Sequence, residues 1–220
     1  MLPDDVMRII AGIIIVLTAL PLHEYSHGFM ADRLGDPTPR SQKRLTLNPL
    51  RHFDPIGGLF ILIAGFGWAK PVLVDMQNFK NPRRDMALVA AVGPLSNFVF
   101  ALITMALFKI AHGIMLLYPS LVFLPLLQVL YFMAVINLWL MALNILPIPP
   151  LDGSKIVGAF LPERTHQSLM RYEKFGIIIL LFLIFTNRIR GPIGFITAQV
   201  MRFIETLTLP IDMIFVNLHG

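Results

Sequence analysis

The sequence predicts an all-α polytopic membrane protein with about 5–6 transmembrane helices and a short re-entrant or β segment after the first helix. Three observations carry this expectation. Only 14% of the 220 residues are Asp, Glu, Lys or Arg, whereas soluble domains carry about 25%, so there is too little polar surface to face water on every side. Several apolar runs are long enough to cross a hydrocarbon core of about 30 Å. The basic residues gather in particular loops between those runs, which is the pattern of a chain with a fixed orientation in a bilayer. Residues 1–220 read as one integral membrane domain, with no separate soluble domain.

The elements follow in order. Met1–Arg8 contains Asp4 and Asp5 and is not a basic leader, so no removable signal peptide is expected. An apolar stretch from Ile9 to about Met30 forms the first span and is interrupted by His23, Glu24 and His27. Residues 31–56 are polar and basic, and Pro37, Pro39, Pro49 and Pro55 break any long helix. Gly57–Gly67 is apolar but too short to cross as a helix at about 1.5 Å per residue. A re-entrant or extended segment is expected there, with short strands around Pro71–Val74. Met86–Ile110 and Leu124–Leu146 are the next spans, the latter stopped by Pro147, Pro149 and Pro150. A short helix is expected from the Asp152-Gly153 pair to about Leu161. Phe175–Phe185 with its flanks is a fourth span. Residues 192–217 read either as a fifth span or as an amphipathic helix at the interface.

Charge placement sets the orientation. Arg33, Arg40, Lys43, Arg44, Arg51, Lys70, Lys80, Arg83 and Arg84 all lie in 31–85, and 111–154 contains neither Lys nor Arg. Basic loops stay in the cytoplasm. The N-terminus is therefore expected outside, in a multi-pass protein of the cell membrane. The end of the first helix and the stretch starting at Pro147 then share the cytoplasmic face. The net charge of +5 belongs to these loops, so no nucleic-acid partner is expected. The absence of cysteine excludes disulfides, thiolate ligands and a cysteine nucleophile.

The chemistry centres on His23-Glu24-Tyr25-Ser26-His27. At about 100° per residue, His23 and His27 project from one helix face one turn apart. Two imidazoles so placed can hold one zinc ion, with Glu24 beside them as general base toward a metal-activated water. Ionisable groups in an apolar helix are costly to insert, about 2.5–3.5 kcal/mol for one central charge, and seldom persist for packing alone. The alternative is a helix that ends early at Pro21 and leaves solvated loop histidines. A catalytic zinc ordinarily has three protein ligands and an open position. Asp152, in the run Pro147–Gly153, is the best candidate for the third, although its position equally suits a helix cap. Spacing leaves these two open. His52 and Asp54, in the Pro-bounded loop, are candidates for supporting the site or gating it, or are a solvated pair. His112, His166 and His219 have no acidic partner at ligand spacing.

Three blocks together resemble a known family. HEYSHG at His23–Gly28, AVGPLSN at Ala91–Asn97 and NILPIPPLDG at Asn144–Gly153 look like the signature blocks of the site-2 protease family of intramembrane zinc metalloproteases. They occur in that family's order. LNPLRHFDPIGG at Leu47–Gly58 and GWAKPV at Gly67–Val72 are similar to its compact subfamily without fused soluble domains. The resemblance covers roughly residues 8–190. It implies one zinc ion bound by His23, His27 and Asp152, with Glu24 catalytic. It also implies that Asn97 and Asn144 engage the substrate backbone or the developing oxyanion; the alternative is that each bonds a neighbouring helix.

The function expected on this reading is hydrolysis of peptide bonds in membrane-spanning substrates near the cytoplasmic side, as in regulated intramembrane proteolysis. The partners are a transmembrane protein or peptide and the lipid bilayer, with the oligomeric state left open. Gly57–Val74 could pair with an unwound substrate as an added strand. A metal transporter is the competing class, but it gives Glu24 no special task. An inactive substrate-binding homologue conflicts with the intact Glu24. The sequence contains neither a Gly-x-Ser-Gly nor a Gly-x-Gly-Asp motif, so serine and aspartyl intramembrane proteases fit poorly.

Overall fold

The computed structural model describes Ile10, residues 13–64 and residues 69–219. Among them every regular element is helical, and no strand occurs. A π-helical turn, Ile15–Ala19, leads into α1, Leu20–Arg33. Pro21 explains the change of pitch. It has no N–H to give the carbonyl four residues back, and its ring crowds that carbonyl, so the hydrogen-bond ladder widens before α-geometry resumes. The helix nevertheless continues through His23 and His27 to Arg33, which removes the early-stop alternative.

After Gly35, whose φ of 105° lies in the left-handed region that glycine adopts freely, the chain makes two short helices, α2 (Thr38–Ser41) and α3 (Pro49–His52). Asp36 ties this loop together. Its carboxylate accepts from the Thr38 N–H at 3.0 Å and hydroxyl at 2.5 Å, the Asp75 N–H at 2.8 Å and the Asn78 amide at 2.7 Å. Burial alone would push the Asp36 carboxyl up; the hydrogen bonds outweigh it and hold the group below the usual carboxylate range.

α4 follows at Pro55–Ala64, so the first part of the segment expected to be re-entrant or extended is helical. Asp54 begins it, accepting the Ile56 and Gly57 N–H groups at 2.9 Å each, an ordinary N-terminal cap. Residues 65–68 lie outside the described residues. The strands expected around Pro71–Val74 are absent. The chain there is irregular, held by the Lys70 N–H on the His52 carbonyl at 2.9 Å and the Val72 N–H on Glu24 at 2.8 Å. A strand needs a neighbouring strand for its ladder, and the neighbours here are helices.

α5, Pro82–Leu117, is the hub and packs against α1, α6 and the two helices described below. A short turn joins it to α6, Phe123–Ile145, and the two form a helical hairpin. The next helix, α7, is Asp152–Gly158. α8 (Glu163–Phe185) and α9 (Arg190–His219) complete the order. α5 and α6 are each long and apolar enough to cross a membrane; the apolar end of α8 and α9, bent by 83° at their junction, pass the same test as a pair. α9 lies along the hairpin, burying Ile204 against Ala101, Met105, Ala134, Leu138 and Met141. The outward faces of α5, α6 and α9 are strongly apolar, as with Leu107, Trp139 and Phe203, which suits lipid rather than water.

Candidate metal centre

Two helices deliver the central side chains. α1 supplies His23 and His27, which are 6% and 9% exposed. α7 supplies Asp152 in its first turn. The bend that places Asp152 is tight. A Cβ on Gly153 would lie 2.0 Å from the Ile145 carbonyl oxygen, so only glycine lets α7 dock on the end of α6. Asp152 makes no capping bond. Its Oδ2 lies 3.1 Å from His23 Nε2 and 3.2 Å from His27 Nε2, and the two Nε2 atoms are 3.0 Å apart. Of the two roles open in the sequence, the cap is not made, and the carboxylate faces the histidines.

The orientation of both rings is set from behind. The His27 Nδ1–H donates to the Val89 carbonyl of α5 at 2.7 Å. His23 Nδ1 meets Asn97 Oδ1 at 2.7 Å. Gly93 makes room for both: a Cβ there would stand 2.4 Å from His27 Cε1 and 2.7 Å from His23 Cε1.

With their Nδ1 atoms bonded backwards, both imidazoles present lone pairs forward, and so does the carboxylate. Asp152 Oδ2 is buried and has no hydrogen-bond donor. Three electron-rich atoms facing one another in a buried place repel unless a cation sits among them. Their spacings of 3.0–3.2 Å are close to the edge of about 3.3 Å of a tetrahedron with nitrogen and oxygen bonds near 2.05 Å to zinc. Two imidazoles and a carboxylate suit a borderline-soft divalent ion. The donor set fits a zinc ion, and His23, His27 and Asp152 together form a group that could hold a metal.

The centre opens on a cavity of about 410 Å³. Glu24 lines it beside the histidines without joining the converging atoms, and Pro71–Val74 forms part of its wall. Arg83, Lys155 and His166 give the wall a basic side, with Arg83 paired to Glu163 at 3.1 Å. Asn144 also lines it, and its Nδ2 donates to the Leu140 carbonyl one turn back at 3.0 Å. Asn97 lies deeper than Asn144. It is fully buried, and its Nδ2 donates to Asn137 Oδ1 at 2.9 Å. Its amide is occupied between His23 and α6, behind the histidine rather than on the cavity wall.

His52 and Asp54 lie outside this cavity, around a separate small void. His52 is buried, its Nε2–H donates to the Thr46 carbonyl at 2.7 Å, and its own carbonyl holds Lys70. That arrangement steadies the segment leading to Val72. The sequence reading missed Asn137, Gly93 and the Val89 carbonyl. Asn137 stands two helical turns before Asn144 on α6, and a polar residue on an interior face of an apolar helix is a readable sign of interhelical bonding. A backbone carbonyl leaves no such sign.

The family profile described as Peptidase family M50 matches residues 109–187. "Putative zinc metalloprotease YwhC" of Bacillus subtilis (strain 168) is 37% identical over 174 residues, covering 79% of this chain and 80% of that protein. "Putative zinc metalloprotease Rip2" of Mycolicibacterium smegmatis is 31% identical over 77% of this chain and 64% of its own length. The Rip2 of Mycobacterium tuberculosis (strain H37Rv) is 32% identical over 80% of this chain and 66% of its own length. The chain thus spans about two thirds of the two mycobacterial relatives. No solved structure matches it.

Proposed function

We infer that this chain, which belongs to the site-2 protease family (peptidase family M50) of membrane zinc metalloendopeptidases, cleaves membrane-spanning substrates near the cytoplasmic side of the bilayer. The observation that carries the reading is the convergence of His23, His27 and Asp152 on a cavity that Glu24 also lines. In this reading His23, His27 and Asp152 hold the zinc. When bound, zinc lowers the pKa of water toward about 7 and polarises a peptide carbonyl. The protein's own groups do the rest. Glu24 takes a proton from the attacking water and returns it to the leaving amine. Asn144, on the cavity wall, offers its remaining amide capacity to the substrate backbone, which in an apolar setting needs partners for its carbonyls. The chain at Pro71–Val74 offers further backbone groups to an unwound substrate. Its Val72 N–H occupies Glu24 and yields that oxygen when water and substrate enter.

The finer topology belongs to the same proposal. Basic residues 31–85 place the mouth of the cavity at the cytoplasmic face and the N-terminus outside. α1 with the residues before it, and α8 and α9, then add crossings to α5 and α6 toward the 5–6 that the sequence suggests.

Membrane proteomes of cells carrying the wild-type protein or Glu24→Gln provide the test. Fragments ending within predicted transmembrane segments should appear with the wild type only. A set of fragments common to both, with metal uptake altered instead, would turn the reading toward a transporter.

A further inference from the structure

We propose that Asn137 is a positioning residue that determines, through Asn97, which ring nitrogen of His23 faces the metal. The inference rests on the reading of His23 as a zinc ligand. Its basis is a buried chain of hydrogen bonds crossing three helices. Asn137 Nδ2 meets the Met133 carbonyl at 2.8 Å, Asn97 Nδ2 meets Asn137 Oδ1 at 2.9 Å, and His23 Nδ1 meets Asn97 Oδ1 at 2.7 Å. Both asparagines are 0% exposed.

The polarity of this chain follows from its far end. An asparagine amide can turn over, exchanging donor for acceptor, and a neutral imidazole can carry its proton on either nitrogen. Asn97 alone could therefore present an NH₂ to His23 and drive the proton to Nε2, where it would block the metal. A backbone carbonyl has no such freedom, because it only accepts. Met133 requires Asn137 to present its NH₂ there, which leaves Asn137 Oδ1 facing Asn97. Asn97 must answer with its own NH₂, and its Oδ1 then faces His23. His23 must place its proton on Nδ1, and the Nε2 lone pair is left for the cation. A reversed amide anywhere in the chain would set two donors or two acceptors together in a place without water, which is costly. His27 needs no relay, since the Val89 carbonyl fixes it directly.

Outer partners of metal-bound histidines typically change metal affinity by about 10–100-fold when removed. The test uses the full chain in detergent or nanodiscs. Zinc affinity is measured by competition with a chromophoric chelator, and the tautomer of His23 is read by ¹⁵N NMR of the histidine-labelled, zinc-free protein, with His23→Gln assigning the signals. Asn137→Leu keeps the branching of the side chain at somewhat larger volume and removes the relay. It should weaken zinc binding about tenfold and bring in a second His23 signal with the proton on Nε2. Thr104→Val removes an equally buried polar group of α5 that reaches no ligand, and should change neither reading. Because the relay is serial, adding Asn137→Leu to Asn97→Leu should cost no further affinity. If Asn137→Leu does not fold, Asn137→Ser serves in its place. Unchanged affinity and a single Nδ1–H tautomer in the folded variant, or additive losses in the double variant, overturn the inference while leaving His23 as ligand. Zinc binding by the wild type that survives His23→Gln unchanged overturns both.

Discussion

Two groups of ionisable side chains in the apolar bundle are built on opposite plans. Toward the far end of α5, Lys109 Nζ meets Asp212 Oδ2 of α9 at 2.5 Å. One cation answers one anion, Asp212 is partly exposed, and the arrangement is complete without anything further. At the near end of the same helix, His23, His27 and Asp152 point lone pairs at one another, and the buried Asp152 oxygen lacks any donor. Behind them Asn97, Asn137 and the Val89 carbonyl are each matched. The difference separates a structural pair from a site. Charge in a bilayer is expensive in both places, but only the second leaves a surplus of acceptors aimed at a shared point, with a cavity beside it.

The comparison breaks most severely if Glu24 is dispensable. Glu24→Gln should reduce cleavage of a susceptible membrane substrate by about 10²–10⁴-fold while the protein retains zinc by elemental analysis. Gly93→Ala acts next. Its methyl would stand where the two imidazole edges lie, so zinc affinity should fall by at least about tenfold and thermal unfolding should show a loss of about 1–3 kcal/mol from overpacking. The structural pair should behave otherwise. Asp212→Asn leaves Lys109 without its anion and should cost about 1–2 kcal/mol, less than a fully buried pair because Asp212 is partly solvated. Zinc content and cleavage should not change, and a loss of zinc there would erase the distinction. The smallest effect is expected at Asp36, outside both groups. Asp36→Asn should cost about 1 kcal/mol at neutral pH. Because the folded carboxyl lies below its ordinary range, the wild-type advantage is full above the unfolded pKa of about 3.9 and is lost as pH falls through the lowered folded value. The melting curves of the two proteins should converge in acid.

Much of the site was legible because it lies within one helical turn. His23 and His27 share a face by spacing alone with Glu24 beside it, and the apolar run around them marks them as costly. Asp152 was harder, since its run suits a cap as well as a ligand, and only the docking of α7 on the end of α6, allowed by Gly153, aims it at the histidines. Asn97 was legible as important, with its role open between the substrate and a neighbouring helix. A motif marks a residue as belonging to a site but does not say whether its amide faces the cavity or the back of a ligand. The strands around Pro71–Val74 were expected from alternation along the chain, but a strand depends on a partner that local sequence cannot supply. For α4 and the π-turn before α1 the local signals, the Asp54 cap and Pro21, were present in the sequence.

By itself, the sequence determined that the chain belongs in a membrane and that His23 and His27 pair on one helix face with Glu24 alongside. These follow from composition and from the period of the helix, which are local properties. Only the tertiary structure decided that Asp152 joins the histidines, that Asn97 stands behind His23 rather than over the cavity, that Asn137 completes the relay, and that Val72 engages Glu24. Each of these is a contact between segments far apart in the chain. Such contacts depend on how closely helices approach, and here that approach is set by the absence of a Cβ at Gly93 and Gly153.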